Sequence, residues 1–136
     1  MQTILLIEKN SYILDNLTEY LEMENYTILA SNNGKRGLQI AQEQIPNLII
    51  CDVWTHEMDG HQVLPSLLNT NKTIGIPFIF STSMPDKINR ASALKLGADD
   101  YIIKPFEIEI LLNMAKTWIA SGSKRCRNAL PIKVAI

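Results

Sequence analysis

Four short apolar runs, each ending in a residue with usable chemistry, constrain this chain more than any other feature. Ile4-Leu5-Leu6-Ile7 ends at Glu8, and Leu48-Ile49-Ile50-Cys51 ends at Asp52. Pro77-Phe78-Ile79-Phe80 runs into Ser81-Thr82, and Tyr101-Ile102-Ile103 ends at Lys104-Pro105. Runs of this length bounded by polar residues are the pattern of strands buried on both faces, as in a parallel sheet. Segments with apolar residues at helical spacing lie between them. The pattern predicts strands over 3–8, 26–30, 47–52, 77–81 and 100–103. It predicts helices over about 11–24, 35–44, 61–70, 86–96 and 107–120. A regular strand–helix alternation implies an α/β fold: a doubly wound (βα)5 three-layer sandwich with right-handed crossovers.

Local signals refine the boundaries. Asn10 or Ser11 suits the N-cap of the first helix, whose inward stripe is Ile13, Leu14, Leu17, Tyr20, Leu21 and Met23. Ser31-Asn32-Asn33-Gly34 is turn chemistry. In the second helix Leu38, Ile40, Ala41 and Ile45 are expected to face inward, with Pro46 closing it. Pro65 is tolerable only near a first turn, so the third helix is expected to start late or irregularly. The fourth helix is expected after Pro85-Asp86 and to stop at Gly97, a good C′ residue. The fifth carries Ile108, Leu111, Leu112, Ala115 and Trp118 at helical spacing.

The main domain is therefore expected over 1–120, with 121–136 as a basic C-terminal tail or linker. Ser121-Gly122-Ser123 reads as flexible. Lys124, Arg125, Arg127 and Lys133 then follow with no acid, and Leu130, Ile132, Val134 and Ile136 alternate with other residues. A frayed tail is the simplest reading; a linker stub, a partner-binding tail or an added edge strand are the others.

Length and charge exclude several classes. A chain of 136 residues suits one domain with one core. A formal net charge of −1 gives no overall field to attract nucleic acid or a membrane. No stretch approaches the roughly 20 apolar residues of a membrane span. The first strand begins almost at Met1, leaving no room for a signal peptide. Cys51, in a predicted buried strand, and Cys126, in the tail, read as free thiols in a reducing compartment. The expected location is cytoplasmic. No glycine-rich loop follows the first strand, where Glu8-Lys9-Asn10-Ser11 stands, which argues against a flavin or nucleotide binder.

In open parallel sheets, function collects at the carboxyl ends of the strands. Glu8, Asp52, Thr82 and Lys104 are therefore expected on one edge. Carboxylate, hydroxyl and ammonium together suit a phosphoryl group. Behind Asp52 stands Met58-Asp59-Gly60, with Asp59-Gly60 serving the loop turn. Further on come Gly97-Ala98-Asp99-Asp100-Tyr101 and Lys104-Pro105-Phe106. With these pieces in this order and at these spacings, residues from about Thr3 to about Ile119 resemble the receiver domain of two-component response regulators.

The resemblance implies a flavodoxin-like sheet of order 2-1-3-4-5. It implies that Asp52 is the phosphoacceptor and that Thr82 offers its hydroxyl to a phosphoryl oxygen. Lys104 would pair with the acyl phosphate, or with Asp52 when phosphate is absent, across a cis bond to Pro105. Tyr101 would turn between outward and inward positions as Thr82 moves. Mg²⁺ would be held by Glu8, Asp52 and the Trp54 backbone carbonyl. The implied function is a signalling relay rather than a turnover enzyme, with self-catalysed phosphotransfer. The implied partners are a histidine kinase or histidine phosphotransfer protein and an unknown downstream protein. Neither nucleic acid nor membrane is implied for this domain. A dimer through the fourth helix, fifth strand and fifth helix is one arrangement the family allows.

The pattern breaks at Lys9. The family usually shows two adjacent acids after the first strand, the second binding Mg²⁺ directly; here they are Glu8 and Lys9. Protonated lysine has no lone pair to give, and Mg²⁺ requires near-octahedral oxygen ligands. Two acids plus Asp52 would carry −3, whereas Glu8, Lys9 and Asp52 carry −1 and Lys104 brings the pocket to 0. One unit charge at ~4 Å is worth about 4 kcal/mol at an effective dielectric near 20, so Mg²⁺ is expected to bind weakly. Lys9 could swing to solvent and leave a weak metal site. Its ammonium could instead bond Asp52 and replace the metal's charge. It is a mere surface charge if the first strand ends one residue early. The lysine also raises the alternative of a phosphorylation-independent pseudo-receiver acting as a protein-interaction module. Trp54, two residues past Asp52, either overhangs the acyl phosphate and slows its hydrolysis or packs on loop neighbours. His56 stands where the family often has proline, and His61 lies across a turn from it, so zinc is not expected.

Overall fold

The five predicted strands form one parallel sheet, in the order β2-β1-β3-β4-β5. The structure is a computed structural model and describes residues 1–83 and 90–125. The strands are β1 (Thr3–Ile7), β2 (Thr27–Ser31), β3 (Leu48–Asp52), β4 (Phe78–Thr82) and β5 (Asp100–Ile103). The helices are α1 (Ser11–Met23), α2 (Gly34–Gln44), α3 (Gly60–Leu68), α4 (Arg90–Leu96) and α5 (Ile108–Ser121).

The period of two along each strand sends side chains to opposite faces. In β1, Leu5 and Ile7 join one core layer with Ala41 of α2 and Val63 of α3. Ile4 and Leu6 join the other, with Leu21 of α1 and Leu111 of α5. All are essentially sealed from solvent. Burying a side chain of this size contributes about 1.5–3 kcal/mol. This is why runs without alternating polarity make the central strands: both faces are covered.

Several boundaries differ from the sequence-based expectation. β1 ends at Ile7, one residue early. Helix α1 takes Asn10 as its N-cap, the side chain accepting from the Ile13 N–H at 3.1 Å, and its last residue, Met23, is exposed. Helix α2 ends at Ile45, which adopts φ 45 and is partly exposed; Pro46 is not what closes it. Helix α3 starts on time at Gly60 despite Pro65. The Asp59 N–H donates to Gln62 Oε1 at 3.1 Å, half of a capping box that fixes the start. Pro65 lies inside the helix, where its ring faces solvent and only the bond to the His61 carbonyl is forgone. Gly97, at φ 111, ends α4 as expected. The expected start of that helix after Pro85-Asp86 lies outside the described residues.

Residues 122–125 are not a loose tail. Ser123 is fully buried, and its hydroxyl donates to Asp99 Oδ1 at 3.0 Å. The Lys124 N–H donates to the same oxygen at 2.8 Å. Arg125 donates to the carbonyls of Ile74 (3.1 Å), Ile76 (2.7 Å) and Gly97, and to Asp99 Oδ2 at 3.3 Å. The segment thus closes the edge of the sheet where β4 and β5 begin. The rest of the expected tail, with Cys126, Arg127 and Lys133, lies outside the described residues.

Candidate functional site

Parallel register brings the polar ends of four runs to the other edge of the sheet. Asp52, the last residue of β3, pairs with Ser81, and Thr82, the last of β4, pairs with Ile103. Glu8 follows β1, held by its N–H donating to the Ser31 carbonyl at 3.0 Å. Lys104 follows β5, its N–H donating to the Thr82 carbonyl at 2.8 Å, and the Lys104–Pro105 bond is cis.

Lys104 joins the site together. Its Nζ donates to Glu8 Oε1 and, at 3.2 Å, to Asp52 Oδ2. Both carboxylates are buried, at 4% and 3% exposure, so one cation is shared between two anions away from water. The second oxygen of Glu8 accepts the Asn10 N–H at 2.9 Å, which ties the pocket to the start of α1. Sequence reasoning treated Asn10 only as a cap; its backbone role carries no side-chain signal.

Burial, reinforced by the Glu8 charge and partly offset by Lys104, raises the Asp52 carboxyl from its ordinary 3.8 to about 6. A folded value above the unfolded one means that the native state binds the proton more tightly, so stability falls as pH rises from about 4 to 6 and stays reduced above that. Asp52→Asn removes this cost. It is expected to stabilise the protein by about 1–2 kcal/mol at pH 8, discounted for the pocket's opening to solvent, and by little at pH 4. Urea unfolding at the two pH values measures the difference; a variant less stable than the parent at pH 8 would contradict it.

Thr82 is fully buried, and Tyr101 is buried at 7% exposure. The Trp54 indole packs edge-on against His61, with centroids 5.6 Å apart, and His61 in turn meets Phe80. The indole therefore packs on a helix neighbour, and its Nε1 is buried with no hydrogen-bond partner among the described residues. His56 is exposed, and no group of three metal-ligating side chains forms among the described residues.

Lys9 is exposed and makes no ion pair or hydrogen bond among the described residues, so it does not clamp Asp52; with β1 ending at Ile7, one residue early, it is placed as the surface-charge alternative expected. It nevertheless lines the same cavity as Glu8 and Lys104. That cavity holds about 650 Å³ and runs from the site between α1 (Ile13, Leu17, Tyr20) and the start of α5 (Phe106, Ile108).

Two carboxylates within reach of one ammonium are oxygen donors suited to Mg²⁺, but one short of the usual acidic set.

Comparison with known proteins agrees with this geometry. The family model described as the response regulator receiver domain matches residues 4–116. A histidine kinase of Formosa agariphila is 36% identical over 107 residues, covering 79% of this chain and 8% of that protein. The receiver domain of a signal transduction histidine kinase from Syntrophus aciditrophicus superposes with a TM-score of 0.80 at 29% identity, covering 89% of this chain and 92% of that one. The receiver domain of sensor histidine kinase PA1611 from Pseudomonas aeruginosa superposes with a TM-score of 0.76 at 24% identity, covering 88% and 98%; that protein holds a magnesium ion in its active-site cleft. The chain spans less than half the length of the curated relatives it matches, which include transcriptional regulators. No helix among the described residues is long and apolar enough to cross a membrane.

Proposed function

This chain belongs to the response regulator receiver domain family, and from that premise we propose that it accepts a phosphoryl group on Asp52 and signals by a conformational switch. The observation that carries the reading is the Lys104 ammonium shared between the buried carboxylates of Glu8 and Asp52. A buried carboxylate near a fixed cation is a nucleophile whose product, an acyl phosphate, finds its countercharge already in position.

In the transfer, an Asp52 oxygen attacks phosphorus in line as the donor's bond to phosphorus breaks, the leaving group keeping the electron pair. Lys104 turns from Asp52 to a phosphoryl oxygen, and the Thr82 hydroxyl donates to another. Tyr101, a buried aromatic, turns as Thr82 moves, and this alters the face made by α4, β5 and α5. A downstream protein, or a second copy of the chain, would read that face. The phosphoryl donor is a histidine kinase or histidine phosphotransfer protein. Glu8, Asp52 and the Trp54 carbonyl would hold Mg²⁺ weakly, and the ion when bound neutralises phosphoryl oxygens. Because Lys9 makes no contact with Asp52 among the described residues, no observation favours the pseudo-receiver alternative.

The test is incubation with acetyl phosphate followed by intact-mass measurement. A single phosphate adduct is expected on the parent chain and none on Asp52→Asn. An adduct that survives in Asp52→Asn would show that the acceptor is elsewhere.

A further inference from the structure

Lys9 stands beside the site and balances no charge there among the described residues. It is exposed, makes no ion pair among the described residues, and lines the cavity that opens onto Glu8 and Lys104. Its four-carbon stem is flexible and its ammonium is a compact charge with three rotatable donors. We propose that Lys9 is a phosphoryl-binding residue that takes over the metal's neutralising role, so that Asp52 is phosphorylated without a divalent cation. The inference rests on the reading of Asp52 as phosphoacceptor.

Charge decides the matter. Before transfer, Lys104 offsets only one of the two buried carboxylates, Glu8 and Asp52. Transfer brings a phosphoryl group whose oxygens carry up to two negative charges. Lys104 alone then faces that group and Glu8 together. In a site with two adjacent acids, a metal supplies the missing positive charge. Here a lysine stands in the second acid's place, so the chain itself carries a positive charge on a residue that lines the same cavity as Glu8 and Lys104. Lys9 has no charged or hydrogen-bonded partner among the described residues, so bringing its ammonium to an incoming phosphoryl oxygen breaks no polar contact there. With acetyl phosphate the balance is simple: the Asp52 oxygen–phosphorus bond forms, the acetate oxygen–phosphorus bond breaks, and acetate leaves with the electron pair and without a proton.

The experiment follows intact mass over time with acetyl phosphate, in Mg²⁺ and in chelator, for the parent, Lys9→Met, Lys9→Arg and Lys9→Asp. Trp54 fluorescence during a Mg²⁺ titration gives a second readout, independent of transfer. The parent is expected to acquire phosphate at a comparable rate in both conditions. Lys9→Met is expected to slow about tenfold or more in chelator, the scale of one lost charge-assisted hydrogen bond, with Lys9→Arg largely restoring the rate. Lys9→Asp is expected to depend on Mg²⁺ and to bind it more tightly. A parent that needs Mg²⁺, or a Lys9→Met that matches it in chelator, overturns the proposal. So does a parent that acquires no phosphate while Lys9→Asp does; the Asp52 assignment then survives and Lys9 is a block. If no variant acquires phosphate in either condition, the Asp52 reading falls as well.

Discussion

Arg125→Met is expected to lower the stability of the domain by about 2–4 kcal/mol, the range for breaking a buried ion pair whose carboxylate keeps some other donors. Asp99 is 1% exposed and lies at the entrance to β5. It accepts from the Phe78 N–H at 2.9 Å, from Ser123 and from Lys124, and these neutral donors would remain. What would be lost is its only countercharge among the described residues. The carbonyls of Ile74, Ile76 and Gly97 would lose their guanidinium donors at the same time. Methionine can fill much of the volume but donates nothing. The shift in urea midpoint measures the loss. Pairing the change with Asp99→Asn should return part of it, because the stranded charge is then gone. A chain ended after Ser121 should lose at least as much as Arg125→Met, because the Ser123 and Lys124 donors go with it. An unchanged midpoint in Arg125→Met would mean that the segment rests on the surface without supporting it.

That latch was not legible in the sequence, for a physical reason. Ser121-Gly122-Ser123 followed by basic residues has the composition of a linker, and composition reports what a segment can do without partners. The partners here are an aspartate 24 residues upstream of Ser123 and three backbone carbonyls, and carbonyls leave no mark in a sequence. The fold was legible because its signals are local and repeated. Runs such as Leu48–Cys51 are too uniformly apolar for a one-sided strand, and the stripe of α5 has helical spacing. Asp52, Thr82 and Lys104 could be placed together because a parallel sheet puts every strand's carboxyl end on one edge. What that rule does not give is direction beyond the strand. β1 stops at Ile7, so Glu8 turns into the pocket while Lys9 turns out of it. Pro65 misled because a proline's cost depends on which carbonyl it deprives, and the Asp59–Gln62 contact had already fixed the helix start.

Lys104→Met is expected to destabilise the domain strongly at pH 8 and much less at pH 5. The lysine side chain is 12% exposed and is the cation shared by Glu8 and Asp52. Removing one partner of a buried pair costs about 3–5 kcal/mol, because the other is left charged and unpaired. Here two carboxylates are left, and the group able to escape is the one already inclined to hold a proton. Asp52 sits at about 6 with Lys104 present, the lysine being the influence that holds it down. Without the lysine it goes higher, so near pH 5 the pocket carries one negative charge instead of two. The folded state then binds a proton that the unfolded state, near the ordinary 3.8, does not. Stability therefore falls more steeply with rising pH in Lys104→Met than in the parent across the window from 5 to 8. Urea unfolding of both chains at the two pH values reads this directly. An equal loss at pH 5 and pH 8 would show that Lys104 supports the fold by packing alone, with Glu8 and Asp52 indifferent to its charge. Acetyl phosphate adds a functional reading: Lys104→Met assayed at pH 8 should acquire phosphate more slowly, since the acyl phosphate has lost its buried countercharge.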